Sequence, residues 1–144
     1  NKTIRFIMCG AGMDKTNKEL IRKLKDLDLL HNAILLGEQK NMPAIYNSID
    51  LLICPSLTES FGLVALEAIA CGTNVLCSDI YAFRKFIKKN NLITANDHKL
   101  FAERIEYILK SKQDIDYDKN KLRNQIIKKY NIKNTFRDYY KMYE

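Results

Sequence analysis

Residues 51–72 read LLICPSLTESFGLVALEAIACG, and this stretch predicts a strand, a loop and a helix in succession. The apolar run Leu51–Cys54 is typical of a buried strand, and Pro55–Thr58 has the composition of a turn. A helix is expected to begin near Ser60 or Phe61 and to end at Gly72. Strand, loop and helix in this order form the repeating unit of a parallel α/β sheet, whose ligands bind beyond the carboxyl ends of the strands.

The start of this helix is a candidate anion site. About four backbone N–H groups at a helix start lack partners within the helix, and the helix dipole places about half a positive charge there. Both features favour a phosphate group, and Gly62 is expected to let such a ligand approach closely. The expected donors are the first amides of the helix, those of Phe61, Gly62, Leu63 and Val64.

Two glutamates flank the helix start. Glu59 precedes it, and Glu67 lies eight positions further on, in a helix whose other side chains are apolar or absent. We expect this helix to be buried all round, so that Glu67 needs hydrogen-bond donors from the main chain or from a bound sugar. With a rise of about 1.5 Å per residue, Glu67 is expected about 8–9 Å from Phe61, roughly the span from a diphosphate to its ribose.

These positions fit a nucleotide diphospho-sugar, with its sugar near Glu59 and its ribose hydroxyls at Glu67. A second interpretation gives both acids structural roles. In that case Glu59 complements the helix dipole and Glu67 is a buried acid paired with a lysine.

Residues 55–79, PSLTESFGLVALEAIACGTNVLCSD, resemble the Glu-x7-Glu signature of the retaining nucleotide-sugar glycosyltransferases of group 1, which have the GT-B fold. Weaker similarity covers nearly the whole chain. The resemblance implies an α/β fold with a Rossmann-like parallel sheet and helices on both faces, forming the C-terminal, donor-binding lobe. It also implies hexosyl transfer to a glycan or lipid-linked acceptor in bacterial surface polysaccharide synthesis, of capsule or lipopolysaccharide. No metal or other cofactor is expected.

The resemblance assigns roles to particular residues. Glu59 is the expected catalytic residue beside the transferred sugar, and Glu67 is expected to bind the ribose. Contacts to the donor sugar and diphosphate are assigned to the helix start, Ser60, Phe61, Gly62, Leu63 and Val64. Main chain near Glu38 is expected along the nucleobase, and the turn that contains Gly10 and Gly12 is expected to line the cleft.

The sequence departs from the family pattern at two places. Asn74 stands where the family usually has proline, and Tyr81–Arg84 replaces a glycine-rich stretch that ends in an acid. We therefore expect the wall of the donor-sugar pocket to differ.

Strand and helix patterns alternate from the start of the chain, which becomes fully helical from Asn96. We expect one domain over residues 1–144, with a helical C-terminal portion over residues 96–144. The expected strands are Ile4–Met8, Ala33–Leu36, Leu51–Cys54, Asn74–Cys77 and Asn91–Ile93. Thr16 and Glu19 predict a capping box at the first helix. Further helices are expected at Pro43–Ser48 and Ala82–Lys88, and apolar stripes at Leu100–Leu109, Leu122–Tyr130 and Phe136–Tyr143.

The family places a further strand in the centre of this sheet. That strand, the acceptor-binding lobe and the Arg and Lys that contact the diphosphate are expected before Asn1. The strands Ile4–Met8 and Leu51–Cys54 should therefore leave a gap, filled by residues outside this sequence or by a second chain. A dimer through the open sheet or the C-terminal helix is one such arrangement, and the isolated fragment is expected to be inactive.

The net charge of +7 is concentrated at the C-terminal end. Residues 84–144 hold 16 Lys and Arg against 8 Asp and Glu, whereas residues 1–83 hold 8 against 9. Three interpretations remain open: a solvated lysine-rich surface, attraction to an anionic membrane, or nucleic acid binding, of which the last is the least favoured.

The four cysteines lie in or beside apolar segments without a Cys-x-x-Cys pair, which predicts reduced, packed thiols rather than a disulfide framework or a zinc site. No run of about 18 apolar residues and no signal-peptide pattern occurs, so we expect a cytoplasmic protein, with peripheral contact at the inner membrane face. The alternative function from another class is a non-catalytic nucleotide-binding or protein-interaction α/β module.

Overall fold

The computed structural model describes residues 4–111, 119–134, 137 and 141. The chain divides after Met42 into two compact units. The strands described form one two-stranded and one three-stranded sheet, and all their pairings are parallel. Helices follow the strands along the chain, which confirms the predicted α/β class. The expectation of a single domain stays a prediction.

The first unit is a βαβ element. It contains β1 (Phe6–Cys9), α1 (Lys18–Asp26) and, after a 3₁₀ turn at Leu30–Asn32, β2 (Ala33–Gly37). β1 pairs in parallel with β2, so the carboxyl ends of both strands lie at one edge of this sheet.

The cap of α1 differs from the predicted capping box. The side chain of Asn17 accepts a hydrogen bond from the Leu20 amide at 3.1 Å, which makes Asn17 the N-cap. The Thr16 hydroxyl donates instead to Asp14 in the preceding turn. Glu19 forms an ion pair with Lys23 one helical turn further on, so it does not reach back to the cap. The prediction of a Thr16–Glu19 box was therefore wrong, because Asn17 supplies the capping oxygen one residue later.

The second unit contains three strands and most of the helices. Its elements are α2 (Met42–Asn47), β3 (Leu51–Cys54), α3 (Leu63–Ala70), β4 (Asn74–Ser78), α4 (Tyr81–Arg84), β5 (Leu92–Ile93), α5 (His98–Ser111) and α6 (Lys119–Lys129). The strand order is β3-β4-β5. β4 is buried along its whole length, because it is the middle strand and α3 packs against it. Cys54 at the end of β3 is the register partner of Cys77 in β4.

The core of this unit joins the sheet to α5. Four buried side chains form it, and three partly buried ones pack against them: Leu76, Ile93, Phe101 and Ile108, with Leu51, Ile53 and Ile105. This confirms Phe101, Ile105 and Ile108 of the stripe predicted on α5, whereas Leu100 is exposed and Leu109 is only partly buried. In α6, Ile126 is buried whereas Ile127 is exposed. The third predicted stripe, at Phe136, Tyr140 and Tyr143, falls outside the residues described.

The expected gap in the sheet is not contradicted. The strands predicted at Ile4–Met8 and Leu51–Cys54 correspond to β1 and β3, which belong to different sheets. Direct pairing of these two strands would have refuted the expectation, and it does not occur.

Candidate functional site

The start of α3 is a candidate site for binding an anion through backbone amides. Gly62 is the N-cap, with a φ of 82°, and its carbonyl accepts from the amides of Ala65 and Leu66 at 3.1 and 3.3 Å. In the part of the chain that the structure describes, no acceptor is recorded for the amides of Leu63 and Val64. The helix begins at Leu63, later than the predicted Ser60 or Phe61, so the amide of Phe61 precedes the helix rather than belonging to its first turn.

Gly62 is required by its protein neighbours. A Cβ atom at this position would lie 2.6 Å from Cε1 of Phe83, and the positive φ disfavours any side chain. Phe83 is itself fully buried in α4. The absence of a side chain at Gly62 therefore allows the Phe83 ring of α4 to pack against the start of α3. The predicted role of Gly62, to let a ligand approach closely, stays a prediction.

One face of α3 is open to solvent, which corrects the prediction that the helix is buried all round. Ala65, Leu66, Ala68 and Ile69 are buried, and they form the side that packs on the sheet and on α6. Leu63 and Val64 keep 60% and 49% of their surfaces exposed, and Phe61 just before the helix keeps 37%. The apolar composition of both faces concealed which of them the sheet would cover.

Glu67 lies on the open face, so the prediction that it is buried was wrong. The hydroxyl of Tyr46, on α2, donates to Oε2 of Glu67 at 2.8 Å. Burial, and then the bond to the Glu67 carboxylate, raise the pKa of Tyr46 above its usual value, so the phenol stays a neutral donor. No ion pair of Glu67 with a lysine or arginine is recorded among the described residues. The carboxylate is thus oriented by a hydrogen bond while its charge remains available.

Tyr46 is the residue that sequence reasoning missed. It is nearly fully buried, and its carbonyl accepts from the Thr73 hydroxyl at 2.7 Å. Its partner Glu67 is 21 positions away, and a lone tyrosine in a short helix carries no signal of such a contact. Glu67 lies four positions after Leu63, which corresponds to about 6 Å along the helix axis.

Glu59 lies in the exposed loop between β3 and α3. Its Oε1 accepts from the Ser56 hydroxyl at 3.1 Å. The hydrogen bond with Cys54, and then burial, raise the pKa of the Cys77 thiol. Ser56 is the second residue after β3, so its bond holds Glu59 beside the carboxyl end of that strand, the edge at which α/β sheets bind their ligands. Ser60 is exposed in the same loop.

The remaining predicted site residues belong to the first unit. Gly10 and Gly12 follow β1, with φ values of 135° and 71°, and Glu38 follows β2 on the surface. The Gly10 amide donates to the carbonyl of Gly37 at 2.8 Å, which holds the two strand ends together. Within this unit, the turn and the Glu38 segment thus share the carboxyl edge of the sheet.

The two departures from the family pattern have local partners. Asp79 accepts from Nε of Arg84 at 2.6 Å, and this contact lowers the pKa of the Asp79 carboxyl. Nζ of Lys85 lies 4.6 Å from the centroid of the exposed Tyr81 ring. Asn74 is buried and donates over 3.4 Å to the carbonyl of Asp50, while its Oδ1 has no partner among the described residues.

The described cysteines are free thiols, of which Cys54 and Cys77 are buried. Over the described residues, no group of three or more His, Cys, Asp or Glu could hold a metal ion. None of the described helices is both long and apolar enough to cross a membrane.

Comparison with known proteins identifies relatives of this chain. It is 34% identical over 83 residues to the lipopolysaccharide core biosynthesis mannosyltransferase LpsB of Rhizobium meliloti, covering 55% of this chain and 24% of the relative. It is 55% identical over 73 residues to a D-inositol 3-phosphate glycosyltransferase of Salinispora tropica, covering 49% of this chain and 15% of the relative. The chain thus spans less than a third of the curated relatives that it matches.

Solved structures share the fold. Anabaena HepE in complex with UDP and glucose superimposes with a TM-score of 0.86 at 19% identity, over 99% of this chain and 41% of that protein. A mutant of S. aureus TarM, in complex with UDP among other ligands, superimposes with a TM-score of 0.80 at 21% identity, over 97% of this chain and 29% of that protein. The fold is that of the C-terminal domain of GT-B glycosyltransferases. The family model described as "Glycosyl transferases group 1" matches residues 1–132. This chain therefore belongs to the group 1 glycosyl transferases.

Proposed function

We propose that the chain forms the donor-binding part of a retaining hexosyltransferase that uses a nucleotide diphospho-sugar. The observation that carries the proposal is the arrangement around α3. There the amides of Leu63 and Val64, which have no recorded acceptor among the described residues, lie between two accessible carboxylates, Glu59 and Glu67. Structural relatives that bind UDP support the donor class.

The amides of Leu63 and Val64 would receive the diphosphate. Negative charge grows on the departing diphosphate as its bond to the sugar breaks, and fixed N–H dipoles stabilise that charge without reorganisation. Phe61, Gly62 and Ser60 would line the same loop around the sugar and diphosphate. The chain supplies electrostatic stabilisation of the leaving group in this scheme.

Glu67 would bind the ribose. A carboxylate accepts several hydrogen bonds, so the oxygen that receives Tyr46 keeps capacity for hydroxyl donors and the other oxygen adds more. Glu59, held by Ser56 near the sheet edge, would orient the transferred sugar. Main chain near Glu38 and the turn at Gly10 and Gly12 would serve the nucleobase and the cleft.

The acceptor is proposed to be a glycan or a lipid-linked sugar in surface polysaccharide synthesis. The name of the relative LpsB, which refers to lipopolysaccharide core synthesis, supports this class. The 16 Lys and Arg of residues 84–144 would suit work at the anionic inner face of a membrane, from the cytoplasmic side.

Calorimetric titration tests the donor site. A thermal-shift panel of nucleoside diphosphates first selects the base, and the selected nucleotide is then titrated into the chain and its variants. Glu67→Gln should weaken binding about 10-fold or more, because hydrogen bonds to a charged acceptor contribute about 1.5–3 kcal/mol each. Tyr46→Phe should cause a smaller loss, since it frees the carboxylate without removing it.

Glu103→Gln is the matched control. Glu103 is an exposed glutamate on α5, and its Oε1 lies 4.0 Å from Nζ of Lys99. Its replacement by glutamine changes the net charge by the same amount as the replacement of Glu67. Equal affinities of Glu67→Gln and Glu103→Gln would remove Glu67 from the site. Failure of the unmodified chain to bind any nucleoside diphosphate would contradict the donor assignment itself.

A further inference from the structure

The loop between β3 and α3, residues 55–62, carries donor-site residues but has few bonds to the rest of the unit. Among the described residues, no hydrogen bond between backbone groups is recorded for residues 56–61. The bond from the Ser56 hydroxyl to Glu59 lies within the loop, so it shapes the loop without fastening it to another element. A loop with so few bonds depends on side-chain contacts to hold one conformation.

One such contact comes from the end of α6. The ring of Tyr130, the residue directly after this helix, meets the ring of Phe61 edge-on. Their centroids are 5.6 Å apart, and the ring planes make an angle of 85°. Aromatic pairs prefer this geometry, and such a pair contributes more than the burial of its surface alone. Tyr130 therefore ties the loop to α6.

Tyr130 is itself held by its surroundings. Its amide donates to the carbonyl of Ile126 at 2.9 Å, and the Ile126 side chain is buried. Nζ of Lys129 lies 5.2 Å from the centroid of the Tyr130 ring. At the other end of the pair of helices, Nε of Arg123 donates to the carbonyl of Ala70 at 2.7 Å. α6 thus runs along α3 in the opposite direction, and its end presents Tyr130 to the loop at the start of α3.

We propose that Tyr130 is a positioning residue of the donor site, whose ring holds Phe61 and thereby keeps the loop and the first turn of α3 in the conformation that receives the donor. This role rests on the proposed function of the site. Phe61 directly precedes the N-cap Gly62 and lies two positions after Glu59, so displacement of its side chain moves both. Tyr130 acts through Phe61 and needs no contact of its own with the donor.

Nucleotide titration of the 144-residue chain tests this role. ADP, GDP, CDP and UDP are each titrated by calorimetry, and the one that binds most tightly is then titrated into the variants. Tyr130→Ala should weaken binding about 3- to 10-fold, the change in affinity that corresponds to one edge-to-face contact. Tyr130→Phe should stay within about two-fold of the unmodified chain, because the contact is made by the ring. An equal loss in both variants would overturn the assignment to the ring.

A double-mutant cycle tests whether Tyr130 acts through Phe61. Phe61→Leu removes the other ring of the pair and should itself weaken nucleotide binding. In that background Tyr130→Ala should cost less than about two-fold, since the contact is already lost. Additive losses would show that Tyr130 influences the affinity by another route, and they would overturn the proposal.

Tyr107→Ala is the matched control. Tyr107 is an exposed tyrosine on α5, and Cζ of Arg104 lies 4.9 Å from the centroid of its ring, so it also loses a contact with a cation. This variant should bind nucleotide within about two-fold of the unmodified chain, and a loss equal to that of Tyr130→Ala would count against the proposal. Urea unfolding of every variant verifies that it is folded under the conditions of the titration.

Hydrogen exchange without nucleotide provides a readout that does not depend on donor binding. The amides of Ala65 and Leu66 donate to the Gly62 carbonyl, so their exchange rates report how firmly the start of α3 is held. Tyr130→Ala should raise these two rates about three-fold or more relative to those of the β4 amides, and Tyr130→Phe should not. A uniform rise in both sets of amides would indicate general destabilisation and would overturn the positioning role.

The two measurements distinguish failure of this inference from failure of the proposed function. If the unmodified chain binds a nucleotide and Tyr130→Ala binds it equally well, Tyr130 has no positioning role and the donor site stands. If the unmodified chain binds none of the four nucleotides, the donor assignment is contradicted. In that case unchanged exchange at Ala65 and Leu66 would overturn the loop contact as well, whereas a selective rise would support it.

Discussion

Replacement of Gly62 by alanine should destabilise the second unit more than the same replacement at Gly72. Both glycines have a φ of 82°, so alanine suffers the same left-handed strain at each, about 1–2 kcal/mol. The entropy that alanine removes from the unfolded chain is also the same. At Gly62 the new Cβ would lie 2.6 Å from Cε1 of Phe83, whereas at Gly72 no atom of the described residues lies within 4 Å.

The expected difference comes from this collision. Phe83 is fully buried, so its ring cannot swing into solvent, and overpacking of this kind costs about 1–3 kcal/mol. Gly72→Ala should therefore lower the free energy of unfolding by about 1–2 kcal/mol, and Gly62→Ala by about 2–5 kcal/mol. Urea unfolding followed by circular dichroism measures both values.

A double variant locates the cause. Phe83→Leu shortens the side chain that the Cβ would strike, so Gly62→Ala should cost about 1 kcal/mol less in that background. Equal losses for Gly62→Ala and Gly72→Ala, or no coupling between positions 62 and 83, would refute the packing explanation for this glycine.

Two further predictions concern caps and charges. Asn17→Ala should lower the free energy of unfolding of the first unit by about 1 kcal/mol, because the Asn17 side chain caps α1. Thr16→Ala should have a smaller effect. Urea unfolding of the two variants compares these losses. The Arg84 guanidinium lowers the pKa of Asp79, so this pair stabilises the fold above the ordinary aspartate pKa, near 4, and the gain is lost as the pH falls through the lower pKa of the folded state. The urea midpoint should therefore fall less steeply below pH 4 in Asp79→Asn than in the unmodified chain, and identical acid profiles would show that the pair makes no contribution.

The sequence predicted the strands and helices of this fold more closely than the surroundings of its glutamates. The strand at Leu51–Cys54 agrees with the structure residue for residue, because a short apolar run between turn residues leaves little choice. The exposure of Glu67 could not be predicted. The helix α3 carries apolar side chains of its own on every face, so the spacing of its apolar residues does not indicate which face the sheet covers.

Contacts between distant segments account for the rest. The sequence predicted that position 62 is special, but the reason depends on where α4 places the Phe83 ring. Likewise, Asn17 and Thr16 are both good capping residues, and the turn before α1 decides between them by engaging Thr16 with Asp14. Local patterns thus identified the candidate site residues, and tertiary packing determines how their side chains are held.

Tyr46 joins parts of the second unit that a ligand would otherwise affect separately. Its hydroxyl holds Glu67 on α3, while its carbonyl is held by Thr73, the residue directly before β4. A ribose that turns the Glu67 carboxylate would pull on this tyrosine and, through it, on the entry to the middle strand. Occupancy of the nucleotide site would then be communicated to the framework of the sheet by a single side chain.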